Sequence, residues 1–387
     1  MSGVVHRKSW HLPWQGEQVP HALLDITRRC TISCRSCYNT DDGEDKPLAD
    51  VQAEIRQLSA LRRLTSISIV GGEPTLHPDL PEIIGYIRSL GLHAELFTNG
   101  VLLDDAMASR LAQAGLEVAF LHIQTGQKRP DLPEVSSRSD RERLLEEKVM
   151  LLARQGIDAG LSITAYHDSL DELSWTIDCC LKMPGLNYLL VTLDRDVRAM
   201  PDLEGNILDG ITCRDAARHL EMVTDKIDMT TMVGDMKRER GWLPFCYLGS
   251  NIDRADPRWV SYVAICAYER EGLKAHLSLR ASLVEKLYLR LELAVKGRYP
   301  FFSRQRQGML KLQLFLNSIF GGRFIANLAF LSRSFRHQHD VSLKKILFQS
   351  LAYVDADGRV VHCANCPDAV VKNGRLVPAC ISDRVRC

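Results

Sequence analysis

From about residue 20 to residue 195, short apolar runs alternate with amphipathic stretches. The runs at 22–27, 66–70, 93–98, 118–124, 159–165 and 188–193 have the length of buried strands. Between them, roughly 48–63, 79–90, 103–114, 139–155 and 168–182 space their apolar residues three and four apart. Ile55, Leu58, Leu61 and Leu64 are one such series, and the spacing predicts helices with one buried face. Strands that alternate with helices must pair in parallel through right-handed crossovers. Six such units predict an α/β fold, an open partial (β/α)6 TIM-like barrel over residues 21–195. In a barrel of this kind the chemistry sits at the C-terminal ends of the strands.

Beyond residue 195 the pattern changes. Residues 1–20 read as an N-terminal extension and 196–266 as a turn-rich connecting region. Residues 267–350 read as a mostly helical, basic and amphipathic segment, and 351–387 as a small cysteine-rich domain of β-hairpins. Two of its turns are Asp357-Gly358 and Asn373-Gly374, dipeptides that favour the tight turn of a two-residue hairpin loop.

Composition narrows the class. With 45% hydrophobic and 25% charged residues in a chain of 387, a large globular core is available. The 49 basic residues nearly balance 48 acidic ones, so the average charge does not suggest a general polyanion binder. The start of the sequence has no apolar run of signal-peptide length, and no stretch of eighteen residues is free of charge. Both features lead to the expectation of a cytoplasmic protein without a spanning helix. The balance breaks locally, however. Lys274 to Lys345 contains 14 Lys or Arg and 3 acidic residues, 14 − 3 = +11, among many Leu, Phe and Ile. Basic helices with an apolar face are drawn to anionic lipid, so contact with the inner face of the membrane, or a lipid substrate, enters as an expectation. A subdomain packing its apolar face on the barrel accounts for the same pattern. Nucleic acid is the least favoured partner, because the segment is rich in aliphatic residues rather than in aromatic stacking residues set regularly among the charges.

Twelve cysteines are many for a reducing compartment, where ligation of a metal or cluster explains them better than disulfides. Three stand at 30, 34 and 37, and four more at 363, 366, 380 and 387. The others are scattered; Cys246 is either an extra ligand or a buried thiol. A Cys-x3-Cys-x2-Cys loop can place three thiolates around one cubane and leave its fourth iron open. Structural zinc normally takes four protein ligands, and this loop is one short. The second predicted strand ends in Gly71-Gly72-Glu73-Pro74, where a double glycine lets the backbone come close to a ligand. The Glu73 carboxylate and nearby carbonyls can receive an ammonium group, although an ordinary turn would look alike. The third strand ends in Phe97-Thr98-Asn99-Gly100.

In this order the three motifs resemble the radical S-adenosylmethionine (SAM) superfamily, across roughly residues 20–195. The resemblance implies a [4Fe–4S] cluster on Cys30, Cys34 and Cys37, and SAM with its amino group near Gly71, Gly72 and Glu73. It further implies reductive cleavage of SAM to methionine and a 5′-deoxyadenosyl radical, fed by a reductant such as flavodoxin or ferredoxin. Thr98, Asn99, Gln124, Ser162 and Thr164 are candidate contacts to SAM, or else cap helices and fill turns. Ser36 stands where many members carry an aromatic residue, and Tyr38 follows the third cysteine. The C-terminal set, Cys363, Cys366, Cys380 and Cys387, resembles the SPASM and twitch extensions found after many such barrels. It lacks the full seven-cysteine pattern, so one second cluster is expected, [4Fe–4S] in preference to zinc. His122, Tyr166 and His167 lie near the strand ends and are either proton donors or structural residues. Three functions remain open: action on a lipid or other long apolar molecule, modification of a peptide as by a maturase of ribosomally made peptides, and a non-catalytic metal-binding scaffold. The short stretch before Ala22 has no room for a leader-binding module, which weighs against the peptide.

Overall fold

The computed structural model describes residues 10–12, 16–35, 37, 39, 43–166, 169–194, 245–246, 259–269, 272–276, 283–297, 299–302, 315, 324–336, 341–354, 360–362 and 365–385. In chain order the first strands are β1 (Trp10–Leu12), β2 (His21–Asp25), β3 (Ser33–Cys34), β4 (Ser66–Val70), β5 (His93–Thr98), β6 (Val118–Leu121), β7 (Gln127–Lys128), β8 (Asp158–Ala165) and β9 (Leu186–Leu193). The helices among them are α1 (Leu48–Leu61), α2 (Leu80–Ser89), α3 (Asp105–Ala114), α4 (Arg138–Arg154) and α5 (Leu170–Lys182). After these come β10 (Phe245–Cys246), β11 (Trp259–Glu269), β12 (Gly272–His276), α6 (Leu283–Lys296), β13 (Tyr299–Phe302), α7 (Phe324–Arg336) and β14 (Val341–Ser350). The last strands are β15 (Tyr353–Val354), β16 (Val360–Val361), β17 (Ala369–Lys372) and β18 (Arg375–Pro378).

The chain divides into two compact units. One comprises Gln15–Leu173, Tyr188–Thr212 and Gln349–Cys387, and the other Met1–Trp14, Ser174–Asn187 and Cys213–Phe348. The first unit contains the expected α/β architecture of a partial TIM-like barrel. Its strands follow the order β9-β8-β6-β5-β4-β2, and neighbours from β2 to β8 run parallel. β4 is Ser-Ile-Ser-Ile-Val and is buried at every position, as a parallel strand covered on both faces must be. Its buried Ser68 hydroxyl donates to the Glu95 carboxylate at 3.0 Å, so neither polar group is stranded in the core. α1 buries Val51, Ile55 and Leu58; of the expected series, Leu61 is half-buried at the helix end and half-buried Leu64 lies beyond it. α3 begins where Asp104 accepts from the Met107 amide and ends at Gly115, whose φ of 96° suits a residue without Cβ. α4 opens with a reciprocal cap between Ser137 and Asp140. Phe97, Phe120 and Gly160 share one row across three strands, and the two rings stack 4.6 Å apart. A Cβ at Gly160 would lie 2.5 Å from the Phe120 ring, so glycine makes room for that ring.

Residues 349–387 belong to the same unit. β17 and β18 form a hairpin in the register Ala369↔Pro378 to Lys372↔Arg375. Asn373 and Gly374 turn it with φ of 48° and 75°, the left-handed pair that an Asn-Gly sequence favours. β15 pairs antiparallel with β16, and the expected Asp357-Gly358 turn lies outside the described residues. Ala352, Val377, Ile381 and Val385 form a small apolar cluster that Leu351, Val360 and Cys380 flank. β17 packs beside β2 and α1, covering the end strand of the parallel sheet. Arg62, buried just after α1, donates to the carbonyls of His21 (2.7 Å), Cys366 (2.6 Å) and Pro367 (3.3 Å).

In the other unit, β11 pairs antiparallel with β10 and β12, and β1 pairs antiparallel with β13. Among the described residues of 267–350, the strands β12, β13 and β14 occur along with the expected helices, α6 and α7. A basic, leucine-rich composition suits either state, and aromatic runs such as Tyr299-Pro-Phe-Phe302 favour strand. Lys344 in β14 is fully buried, and its ammonium group donates to the carbonyls of Met183 and Leu186. No helix among the described residues is long and apolar enough to cross a membrane.

Candidate active site

Cys30 follows β2 after four residues that are fastened on several sides. Thr27 donates to Asp45 at 2.6 Å, and Arg29 clasps the same carboxylate at 3.0 and 2.6 Å. Arg28 makes a bidentate pair with Asp383, at 2.9 and 2.8 Å, and a further contact with Asp25. The glycine loop docks directly on this stretch. The Gly72 amide donates to Thr27 O at 2.8 Å and the Glu73 amide to Arg29 O at 2.7 Å. A Cβ on Gly71 would come within 2.4 Å of Thr27 O, and one on Gly72 within 2.2 Å of Arg29 O. Both glycines are thus required by the close approach of one loop's backbone to the other.

Glu73 is fully buried. One carboxylate oxygen accepts from the Thr75 amide (3.1 Å), the Thr75 hydroxyl (2.6 Å) and the Thr98 hydroxyl (2.6 Å); the other accepts from the Asn99 amide (2.6 Å). Burial pushes its pKa up while these hydrogen bonds pull it down. Every one of these partners is a donor toward it, so the arrangement suits the ionised form. The Glu73 carboxylate ties the 71–74 loop to the end of β5. Pro74 is buried and starts a short turn of 3-10 helix.

The cysteine loop is held from its far side by a ladder of two residue pairs, in which Ser33 faces Lys128 and Cys34 faces Gln127. The Gln127 side-chain amide lies 3.8 Å from Cys34 Sγ, and that of Asn99 lies 3.8 Å from Cys30 Sγ. Arg129, with its side chain only 1% exposed, donates to the carbonyls of Asn99 (2.8 Å) and His122 (3.0 Å) and to Gln127 Oε1 (3.2 Å). It also pairs bidentately with Asp131. Sequence reading missed Gln127 and Arg129, because polar residues after a strand look like ordinary loop. The alternation around Gln127-Lys128 is too short to signal a strand.

Cys30 is exposed, whereas Cys34 and Cys37 are half-buried. Burial pushes the Cys34 thiol up to about 12, with the nearby Cys37 and Cys30 adding to the rise. Cys30 is raised too, chiefly by burial and then by Glu73 and Cys37. Thiols held this way give up their protons only to a strongly bound cation. Among the described residues, no three His, Cys, Asp or Glu are gathered as they would be around a bound ion. The loop therefore keeps three thiols within electrostatic reach of one another without closing on a point. Three soft donors and no fourth suit an iron–sulfur cluster with one open iron better than a zinc ion.

The remaining predicted contacts are placed as follows. Gln124 accepts from the Thr164 amide at 2.6 Å and donates to the Tyr166 hydroxyl at 3.2 Å, stitching the end of β6 to β8. Ser162 and Thr164 are half-buried and alternate along β8 with buried Leu161, Ile163 and Ala165. The His122 ring donates to Ser162 O at 2.7 Å, and burial holds its pKa below the usual value. Arg35, inside the cysteine loop, lies over the Tyr166 ring at 4.7 Å. His167, Ser36 and Tyr38 lie outside the described residues.

At the other cysteine set, the β17–β18 register continues one step as the Ala379 amide donates to Asp368 O at 2.8 Å. Buried Cys366 precedes the hairpin, and half-buried Cys380 follows it in the 3-10 turn Ala379–Arg384. Cys363 and Cys387 lie outside the described residues. Cys179 and Cys180 are buried in α5, and burial pushes Cys180 up to about 11, as for an inert core thiol.

Residues 24–178 match the family model described as the radical SAM superfamily. Among curated proteins, the PqqA peptide cyclase of Xanthomonas oryzae pv. oryzae is 35% identical over 112 residues, covering 26% of this chain and 28% of that protein. The Fe-coproporphyrin III synthase of Methanosarcina barkeri is 34% identical over 108 residues, 27% of each chain. The chain thus spans little more than a quarter of the length of these relatives. Among solved structures, Streptococcus suis SuiB bound to S-adenosylmethionine is similar over 55% of this chain and 48% of that one, at 20% identity and a TM-score of 0.38.

Proposed function

We propose that the chain, whose residues 24–178 match the radical SAM superfamily model, cleaves SAM reductively and takes hydrogen from a substrate C–H bond. The observation that carries this reading is the cysteine loop: three thiols within eight residues, with the glycine loop docked on its base and the end of β5 hydrogen-bonded beside it. Cys30, Cys34 and Cys37 would hold a [4Fe–4S] cluster, which when bound would supply the electron for the cleavage, drawn from flavodoxin, ferredoxin or a similar reductant. The protein's own work is positioning. With the Glu73 carboxylate committed to Thr75, Thr98 and Asn99, reception of the SAM ammonium group falls to the carbonyls of Gly71 and Gly72. Ser162 and Thr164 offer hydroxyls for the ribose or carboxylate, while Thr98 and Gln124 act through the loops they fasten. Cys366 and Cys380, with Cys363 and Cys387, form the second site, for [4Fe–4S] in preference to zinc.

The substrate reading follows from α6, where Leu287, Leu291 and Val295 are 70%, 61% and 73% exposed at four-residue spacing. Arg290 and Lys296 lie on the same helix, inside the segment with a charge of +11 (14 − 3). That combination suits an anionic membrane surface on the cytoplasmic side and a lipid or other long apolar substrate. Peptide modification is the second reading, favoured by the similarity to a peptide cyclase. Flotation with anionic but not neutral vesicles supports the lipid reading, and no binding to either removes it.

The decisive experiment is anaerobic reconstitution, followed by iron and sulfide analysis and an assay for 5′-deoxyadenosine after SAM and dithionite are added. About eight irons per chain with deoxyadenosine formed supports both sites, and about four with cleavage moves the C-terminal cysteines to zinc. A colourless, inactive chain overturns the proposal in favour of a metal-binding scaffold.

A further inference from the structure

We propose that the side-chain amides of Asn99 and Gln127 are thiolate-directed donors that raise the reduction potential of a cluster bound at Cys30 and Cys34. This deepens the radical SAM reading and rests on it. Asn99 Nδ2 lies 3.8 Å from Cys30 Sγ, and Gln127 Nε2 lies 3.8 Å from Cys34 Sγ.

An amide has an oxygen end and a nitrogen end, and the partners decide which end faces the sulfur. Gln127 Oε1 accepts from the Gln124 amide at 3.2 Å and from the Arg129 guanidinium at 3.2 Å, neither of which can accept. The nitrogen end meets the His122 carbonyl at 3.2 Å, which can only accept. Reversing the amide would set donor against donor on one side and oxygen against oxygen on the other. The nitrogen is therefore fixed toward Cys34. Asn99 is oriented in the same manner. Its oxygen accepts from the Val101 amide at 3.0 Å, a group that can only donate, which leaves the nitrogen toward Cys30; the Thr31 hydroxyl lies within reach of both ends, at 3.3 and 3.0 Å.

Neither residue can drift from its sulfur. The Asn99 amide is held by Glu73 at 2.6 Å and its carbonyl by Arg129 at 2.8 Å, and Gln127 is paired with Cys34 in the β3–β7 ladder. Hydrogen bonds to cluster sulfurs stabilise the more negative, reduced state, and so shift the potential upward.

The test uses the full chain, reconstituted anaerobically, with EPR-monitored redox titration of the bound cluster. In Gln127→Glu the acceptor for Arg129 is kept while the donor facing Cys34 becomes an oxygen; Asn99→Asp does the same at Cys30. Each variant is expected to titrate at a more negative potential than wild type, with the two shifts adding in the double variant. Gln113→Glu on the exposed face of α3 adds the same charge far from the loop and is expected to leave the potential in place. A second readout needs no variant: exchange into deuterium oxide is expected to shift the Fe–S(Cys) stretching bands of the wild-type cluster in resonance Raman spectra. A loaded wild-type cluster with no isotope shift, or variants that keep the wild-type potential, overturns the amide assignment alone. A wild-type chain that takes up no iron overturns this inference together with the radical SAM reading.

Discussion

The two cysteine sets are assembled by opposite means. At Cys30–Cys37 the loop contains one two-residue strand, and its surroundings are polar: the side chains of Asn99 and Gln127 reach it through hydrogen bonds, and Glu73 and Arg129 hold those two in turn. Cys366 and Cys380 flank the β17–β18 hairpin, and Cys380 packs beside an apolar cluster of Ala352, Val377, Ile381 and Val385. A polar network fixes positions while leaving a thiol such as Cys30 exposed, which an open reaction site requires. A hairpin with its own apolar cluster fixes its flanking residues by exclusion of water. The difference teaches that the first set depends on polar side chains contributed by other loops, and the second on an apolar hairpin of its own.

The sharpest way to break that comparison is to remove one thiol from each set. Cys34→Ala is expected to abolish deoxyadenosine formation, whereas Cys380→Ala keeps most of it and loses the final product. Equal loss of both activities in the two variants would make the sets one functional unit. The next largest effect concerns how each region is held. Glu73→Ala strands buried donors and is expected to cost about 3 kcal/mol in the iron-free chain, measured by the urea midpoint at unchanged slope. Ile381→Ala opens a cavity in the apolar cluster and is expected to cost roughly 2 kcal/mol. Native-state hydrogen exchange should localise the first loss around 71–99 and the second around 351–385. A protection loss that spreads over both regions in either variant would contradict their separate construction.

The two links between the regions should differ in strength. Arg62 is 5% exposed and serves three carbonyls, so Arg62→Ala is expected to cost about 2 kcal/mol and to loosen residues 366–372. The Arg28–Asp383 pair is about a quarter exposed at both ends, and Asp383→Asn is expected to cost only about 0.5 kcal/mol, less at high salt. The smallest effect is one of pH. Burial holds the His122 pKa below 6.5 in the folded chain, so the unfolded chain takes up its proton first as the pH falls. Stability present above pH 6.5 is therefore lost as the pH drops toward the folded value. His122→Asn, which can still donate to Ser162 O, should flatten that part of the stability profile; an unchanged slope would remove His122 as its source.

Much of the barrel was legible in the sequence because burial on both faces leaves an unmistakable apolar run. The expected strands at 66–70 and 93–98 coincide with β4 and β5, and the helix expected at 139–155 is α4, Arg138–Arg154. The Asn373-Gly374 turn was equally plain, since few dipeptides tolerate two positive φ angles. What could not be read was the polar scaffolding. Arg129 reaches four different acceptor groups from a loop whose composition looks solvated, and Glu73 turns inward from a motif that seemed to offer its carboxylate to a ligand. Such roles depend on which loops meet in space, and spacing along the chain has no record of that. The strands at 272–276, 299–302 and 341–350 escaped for another reason, because short basic and apolar stretches satisfy helical and extended periodicity equally well.

The pairing of Arg28 with Asp383 joins residues 355 positions apart. A ribosome adding ~5–20 residues per second needs roughly 20–70 s to make that interval. For all that time β2 has left the exit tunnel and waits without the hairpin that covers its outer flank. Chaperone occupancy of the nascent chain should therefore persist until residues 369–385 emerge, and synonymous codons that slow the last stretch should lower the soluble yield more than those that slow the first.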